Sequence, residues 1–157
     1  MEMRHFATLV VFSIIALLFA FRFPDRPRLE WIEWNEAYKM AKKKDKILLI
    51  DAYTDWCGWC KKMDADTYSK GEIIKLINKS FIPVKFNPEL KQKYEVNGEE
   101  MSGGQLLSLL SGGSRVGYPT TFFLDLEKNK VQMVSGYKDE EAFKQVLLQK
   151  IEWAKSK

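Results

Sequence analysis

Apolar and polar residues change rhythm several times along this chain, and each rhythm predicts an element. Phe6 to Phe21 (FATLVVFSIIALLFAF) is apolar throughout and carries no charge. From Leu29 to Lys44 the spacing turns helical: Trp31, Trp34, Tyr38 and Ala41 form one apolar stripe. Lys42 to Lys44 close that helix where cations suit its C-terminus. Ile47–Tyr53 (ILLIDAY) is a short continuous apolar run and predicts a buried strand. A helix is expected from Cys57 to about Tyr68, and another over Lys70–Lys79 with Ile73, Ile74, Leu76 and Ile77 inward. Phe81–Asn87 predicts a second strand, and Pro83 sets it beside an edge or bulge. Val96-Asn97-Gly98-Glu99 carries a hairpin's Asn-Gly pair. Gln105–Leu110 predicts a short helix with Ser102 as its cap. Thr120–Leu126 and Lys130–Ser135 predict two strands joined by a turn. Asp139–Ala154 predicts a closing helix with Phe143, Val146, Leu147, Ile151 and Ala154 inward.

That order predicts an α/β domain: a central mixed sheet with helices on both faces. Its first two strands should be parallel through a crossover helix and its last two antiparallel. The expected organisation is an N-terminal signal peptide or membrane anchor over 1–23, a linker over 24–28 and the folded domain over 29–157. As a helix, the apolar run of Phe6 to Phe21 spans roughly 24 Å, against a hydrocarbon core of about 30 Å. It is long for a signal peptide and short for a transmembrane helix. Ala20 suits the −1 position of a cleavage site, but Leu18 would then stand at −3. An uncleaved anchor and a cleaved signal both stay open. Arg22, Arg26 and Arg28 follow the run and only Arg4 precedes it, which opposes export. The very short N-terminal tail favours export. The expected location is extracytoplasmic, in a periplasm, either soluble after cleavage or anchored by residues 6–23.

Composition narrows the function. The chain has 157 residues, 46% of them hydrophobic and 29% charged, enough to build a core without disulfide staples. The net charge of +4 is spread along the chain, so no nucleic-acid partner is expected. Two cysteines and a single histidine, His5, do not supply a structural zinc site, and no metal is expected. No Gly-x-Gly-x-x-Gly follows a strand, so no flavin or nicotinamide cofactor is expected either.

The chemistry falls on Cys57 and Cys60. A Cys-x-x-Cys between a strand and a helix places Cys57 at the helix N-terminus, where free N–H groups and the macrodipole favour an anion. Such placement lowers a thiol pKa from about 8.5 into the range of roughly 3.5–7.5. The thiolate is the attacking species in disulfide exchange. Cys60 lies one turn later, close enough to close an intramolecular disulfide and release a mixed-disulfide partner. Cys57 is thus read as the nucleophile and Cys60 as the resolving thiol, and the disulfide itself is the only redox group expected. Asp51, six residues before Cys57 inside an apolar strand, should have its pKa raised by burial.

Three segments resemble the thioredoxin family: Trp56-Cys57-Gly58-Trp59-Cys60-Lys61, Gly117-Tyr118-Pro119-Thr120 and Ser135-Gly136-Tyr137. The similarity spans about Trp31 to Trp153 and is nearest to exported thioredoxin-like proteins with an inserted hairpin. The resemblance implies a thioredoxin-like fold and a cis proline at Pro119 packed against the sulfurs. It implies that Asp51 relays a proton for Cys60 and that Lys85 sits beside it. A buried structural Asp51–Lys85 pair is the plainer alternative. Trp56, Trp59 and Tyr118, with Pro119, would rim the sulfurs and meet protein substrates. The chain departs from ordinary thioredoxins at Trp59, which stands where they have proline, and this leaves the direction of the reaction open. The expected activity is reduction or exchange of disulfides in exported proteins. Its partners would be protein disulfide or dithiol substrates and a membrane thiol electron donor. The alternative is a tethered chaperone or assembly factor whose main role is partner binding.

Overall fold

The computed structural model describes residues 27–156. The expected signal peptide or anchor over 1–23 lies outside the described residues, as does most of the linker.

The elements run α1 (Trp34–Lys44), β1 (Ile47–Ala52), α2 (Gly58–Met63), a π-helical turn (Asp64–Tyr68), α3 (Gly71–Ser80) and β2 (Phe81–Phe86). They continue with β3 (Tyr94–Val96), β4 (Glu99–Met101), α4 (Gly103–Ser111), β5 (Thr120–Asp125), β6 (Lys130–Ser135) and α5 (Glu140–Lys155). The main sheet has the order β2-β1-β5-β6, and β3-β4 form a separate hairpin. β1 and β2 are parallel, with Asp51 opposite Lys85. β5 runs antiparallel to both β1 and β6, placing Thr121 opposite Asp51 on the other side.

Side chains alternate across β1 and divide the core in two. Leu48 and Ile50 join Trp34, Tyr38 and Ala41 of α1, Leu106 and Leu110 of α4, and Tyr94. Ile47 and Leu49 face the other way, onto Met63, Tyr68, Ile73, Ile77, Phe143 and Leu147. The sheet is thus covered on both faces, as the order of elements predicts. β1 and β5 are buried along their whole length, which is why β1 reads as an apolar run interrupted only by Asp51 rather than as an alternating one.

Three expectations are corrected. The first helix begins at Trp34, not Leu29. The preceding segment is extended, and Ile32 bridges Val84 on the outer side of β2. Its N–H donates to Pro83 O at 2.9 Å. Since the N and O of one strand residue point the same way, proline's missing N–H also faces outward and costs β1 no ladder bond. Trp31 therefore leaves the predicted stripe and packs edge-on against Tyr68, ring centroids 5.0 Å apart, on the opposite face. The helix expected over Cys57–Tyr68 is α-helical only to Met63, and then widens into the π-helical turn. At the C-terminus Ala154 is exposed, and Trp153 is the partly buried residue that packs on the core.

The hairpin turn has Asn97 at φ 53° and Gly98 at φ 86°, the positive pair that an Asn-Gly turn supplies. It is fastened to α1: Trp34 Nε1 donates to Glu95 O at 3.0 Å and Tyr38 Oη to Asn97 Oδ1 at 3.0 Å. Ser102 and Gln105 cap α4 reciprocally.

Candidate active site at the end of the first strand

The backbone leaves β1 at Ala52, turns through Thr54, whose carbonyl accepts from Cys57 N–H at 3.1 Å, and enters α2 with Cys57 as its N-cap. Cys60 N–H points back at Cys57 Sγ, 3.1 Å away. Cys57 and Cys60 are joined as a disulfide with S–S 2.03 Å and Cα–Cα 5.3 Å. Both residues are almost wholly buried. The Tyr118–Pro119 peptide bond is cis.

Two aromatic pairs stand near the disulfide. Trp56 is 68% exposed and Trp59 59% exposed, an unusual degree for indoles. Trp56 meets the Tyr118 ring edge-on at 5.9 Å, and its Nε1 donates to both carboxylate oxygens of Glu89, at 3.1 and 3.2 Å. Trp59 lies against Tyr137 at 5.4 Å. The sequence brings Trp56, Trp59 and Tyr118 to attention. Glu89 and Tyr137 enter the site only through the fold, although Tyr137 belongs to one of the motifs quoted above.

Within β1, Asp51 is buried, and its Oδ2 accepts from Lys85 Nζ at 2.7 Å. Its other oxygen, Oδ1, is buried with no partner, as is Thr54 Oγ1. A buried polar atom without a partner calls for a reason. Burial pushes the Asp51 carboxyl above its usual range, against the opposing pull of Lys85. Burial pulls the Lys85 ammonium down, but the Asp51 and Asp64 carboxylates outweigh it and hold Lys85 above its usual value. Tyr68 is pushed well up by burial, reinforced by the Asp51 charge.

Asp64 is the residue that sequence reasoning missed. It opens the π-helical turn, and its Oδ1 accepts from the same Lys85 Nζ at 2.6 Å. The ammonium also lies 4.9 Å from the ring centroids of Trp31 and Tyr53 and 5.6 Å from that of Tyr68, favourable cation–π distances. Parallel pairing of β1 with β2 aligns Lys85 with Asp51, while the turn after α2 brings Asp64 from the other side. Among the described residues no group of three or more His, Cys, Asp or Glu side chains is placed to hold a metal ion.

The model of the Thioredox_DsbH family, described as a protein of unknown function, DUF255, matches residues 22–154. A 97-residue segment is 31% identical to spermatogenesis-associated protein 20 of Mus musculus, covering 61% of this chain and 11% of that protein. A 106-residue segment is 26% identical to thiol:disulfide interchange protein DsbD of Cronobacter sakazakii, covering 66% of this chain and 16% of that protein. The chain thus spans a small part of these two curated relatives. A solved structure titled DsbH Oxidoreductase superposes with a TM-score of 0.57 at 19% identity, covering 85% of this chain and 91% of that one. The fold is shared with it.

Proposed function

This chain belongs to the thioredoxin-like Thioredox_DsbH family, and from that premise we propose that it is a thiol–disulfide oxidoreductase, reducing or exchanging disulfides of exported proteins through Cys57 and Cys60. The observation that carries the reading is a disulfide at a strand-to-helix junction, with exposed indoles beside it and a buried acid in the strand that leads to it. In the reducing direction Cys57 thiolate attacks a sulfur of the substrate disulfide and one substrate thiolate leaves. Asp51 takes the Cys60 proton. Cys60 then attacks Cys57 Sγ, so the Cys57–Cys60 bond forms, the mixed disulfide breaks and the second substrate thiolate leaves. Two electrons pass to the substrate, and a membrane thiol carrier returns them. An extracytoplasmic site of action is supported by the apolar run over residues 6–21.

The exposed Trp56 and Trp59 also favour a second reading, a partner-binding module in which the disulfide is secondary. Cys57→Ser separates the two. The oxidoreductase loses all turnover of a protein disulfide such as insulin, while a binding module keeps its partner affinity. The potential of the Cys57–Cys60 couple against a glutathione series sets the direction. A value near about −270 mV belongs to a reductant, and one near about −120 mV to a disulfide donor. The latter result would overturn the reducing role proposed here.

A further inference from the structure

Lys85 Nζ sits between two carboxylates of unlike surroundings. It lies 2.7 Å from Oδ2 of Asp51, whose side chain is 2% exposed, and 2.6 Å from Oδ1 of Asp64, whose side chain is 46% exposed. Asp64 and Lys85 also line an open groove of about 550 Å³, walled by Leu29, Trp31, Tyr68 and Ile74. An acid as buried as Asp51 has no direct route by which to return a proton to water. We propose that Asp64 is the solvent-side end of a proton path that begins at Asp51 and crosses on the Lys85 ammonium. This rests on the reading of Asp51 as the proton acceptor for Cys60.

The step balances. The Cys60 proton enters on Asp51 Oδ1, the buried oxygen with no partner. A half-turn of the carboxyl then presents it to Lys85. Lys85 passes one of its own protons to Asp64 Oδ1 as it takes the one from Asp51, and ends as an ammonium. Asp64 releases the proton to water in the groove. No electron moves along this path. The Trp31, Tyr53 and Tyr68 rings hold the ammonium between its two acceptors. Tyr53 and Tyr68 are the titratable groups among these neighbours, both pushed up by burial, so both stay protonated. Arg28 is the further cation on the groove wall. Asp64 is a positioning residue, since it acts through Lys85 and touches neither sulfur in the scheme.

The test uses the full chain, fully reduced, mixed with an aryl disulfide whose released thiolate absorbs light. Attack by Cys57 releases a first equivalent and attack by Cys60 a second, so each step is its own phase. Asp64→Asn should leave the first phase unchanged and slow the second about tenfold, less than the loss of a group that handles the reacting proton directly. Formate or imidazole at tens of millimolar should restore the second phase, and Asp64→Glu should keep it without added buffer. Asp64→Ser is the second variant should the amide not fold. A normal second phase in Asp64→Asn while Asp51→Asn is slow overturns the path through Asp64 and leaves the Asp51 reading standing. A slow second phase that buffer does not restore also overturns it. A normal second phase in Asp51→Asn overturns the reading on which the path rests.

Discussion

Asp51→Asn should make the oxidised protein more stable, and the gain should grow with pH. Burial is the largest influence on Asp51 and lifts its folded pKa above the ordinary 3.8. A carboxyl whose folded pKa is raised holds its proton more tightly in the fold than in the unfolded chain. Below the ordinary value both states are protonated and nothing is lost. Between it and the raised value the folded state binds more protons, so stability falls with pH by up to about 1.4 kcal/mol per unit. Above the raised value the penalty is complete and constant. Asparagine has no such charge to lose. The change does not strand Lys85, because Asp64 still accepts from it at 2.6 Å. The plateau gain should amount to about 1.4 kcal/mol for each unit by which the fold raises the carboxyl's pKa. Urea unfolding of both proteins from pH 4 to 9 reads it out. A gain of about 2 kcal/mol moves the midpoint by about 0.7–2 M. If the mutant is less stable across that range, or if the gap is flat with pH, burial of the carboxylate is not the dominant influence and the reasoning fails.

Gly103→Ala should destabilise by about 1–3 kcal/mol or more, because its Cβ would stand 2.4 Å from Pro88 O and 2.7 Å from Pro88 Cα, both backbone atoms. Thermal unfolding checks it, and an unchanged midpoint would show that the Pro88 loop yields freely. Trp56→Ala and Trp59→Ala should change stability by no more than about 0.5 kcal/mol, as exposed sites do, while raising KM for a protein disulfide and leaving a small aryl disulfide unaffected. Equal losses on both substrates would mean that the indoles shape the sulfurs and do not bind the substrate.

How much of this was legible in the sequence differs from element to element. β1 was plain because a strand buried on both faces leaves a nearly continuous apolar run. The hairpin was plain because Asn97 and Gly98 meet a local demand for positive φ. Cys57, Cys60 and Asp51 stood out because their chemistry is tied to short spacings along one strand and the helix after it. The start of α1 was misplaced because Trp31 keeps helical spacing with Trp34, yet its backbone is spent on the edge of β2 through Ile32. A tertiary hydrogen bond outbid a local pattern there, and no local pattern records it.

Asp64 was hidden for a related reason, and that reason shapes how the site is understood. In sequence it is one more acid on a polar helix face, where the default expectation is a solvated side chain. Its meaning comes from a parallel strand pairing that sets Lys85 beside Asp51 and from the π-helical turn that Asp64 opens on the other side. Asp51 and Lys85 alone would make a pair whose acid has no contact with water and whose ammonium is only partly exposed. Asp64 adds a carboxylate on the solvent side, so that one ammonium is shared between an acid the solvent cannot reach and an acid it can. The plain reading of a structural ion pair and the reading of a relay therefore part at Asp64. A pair needs only charge balance, which Asp51 already gives Lys85. A second carboxylate at 2.6 Å leaves the ammonium with more acceptor than neutrality requires, an arrangement suited to passing a proton on.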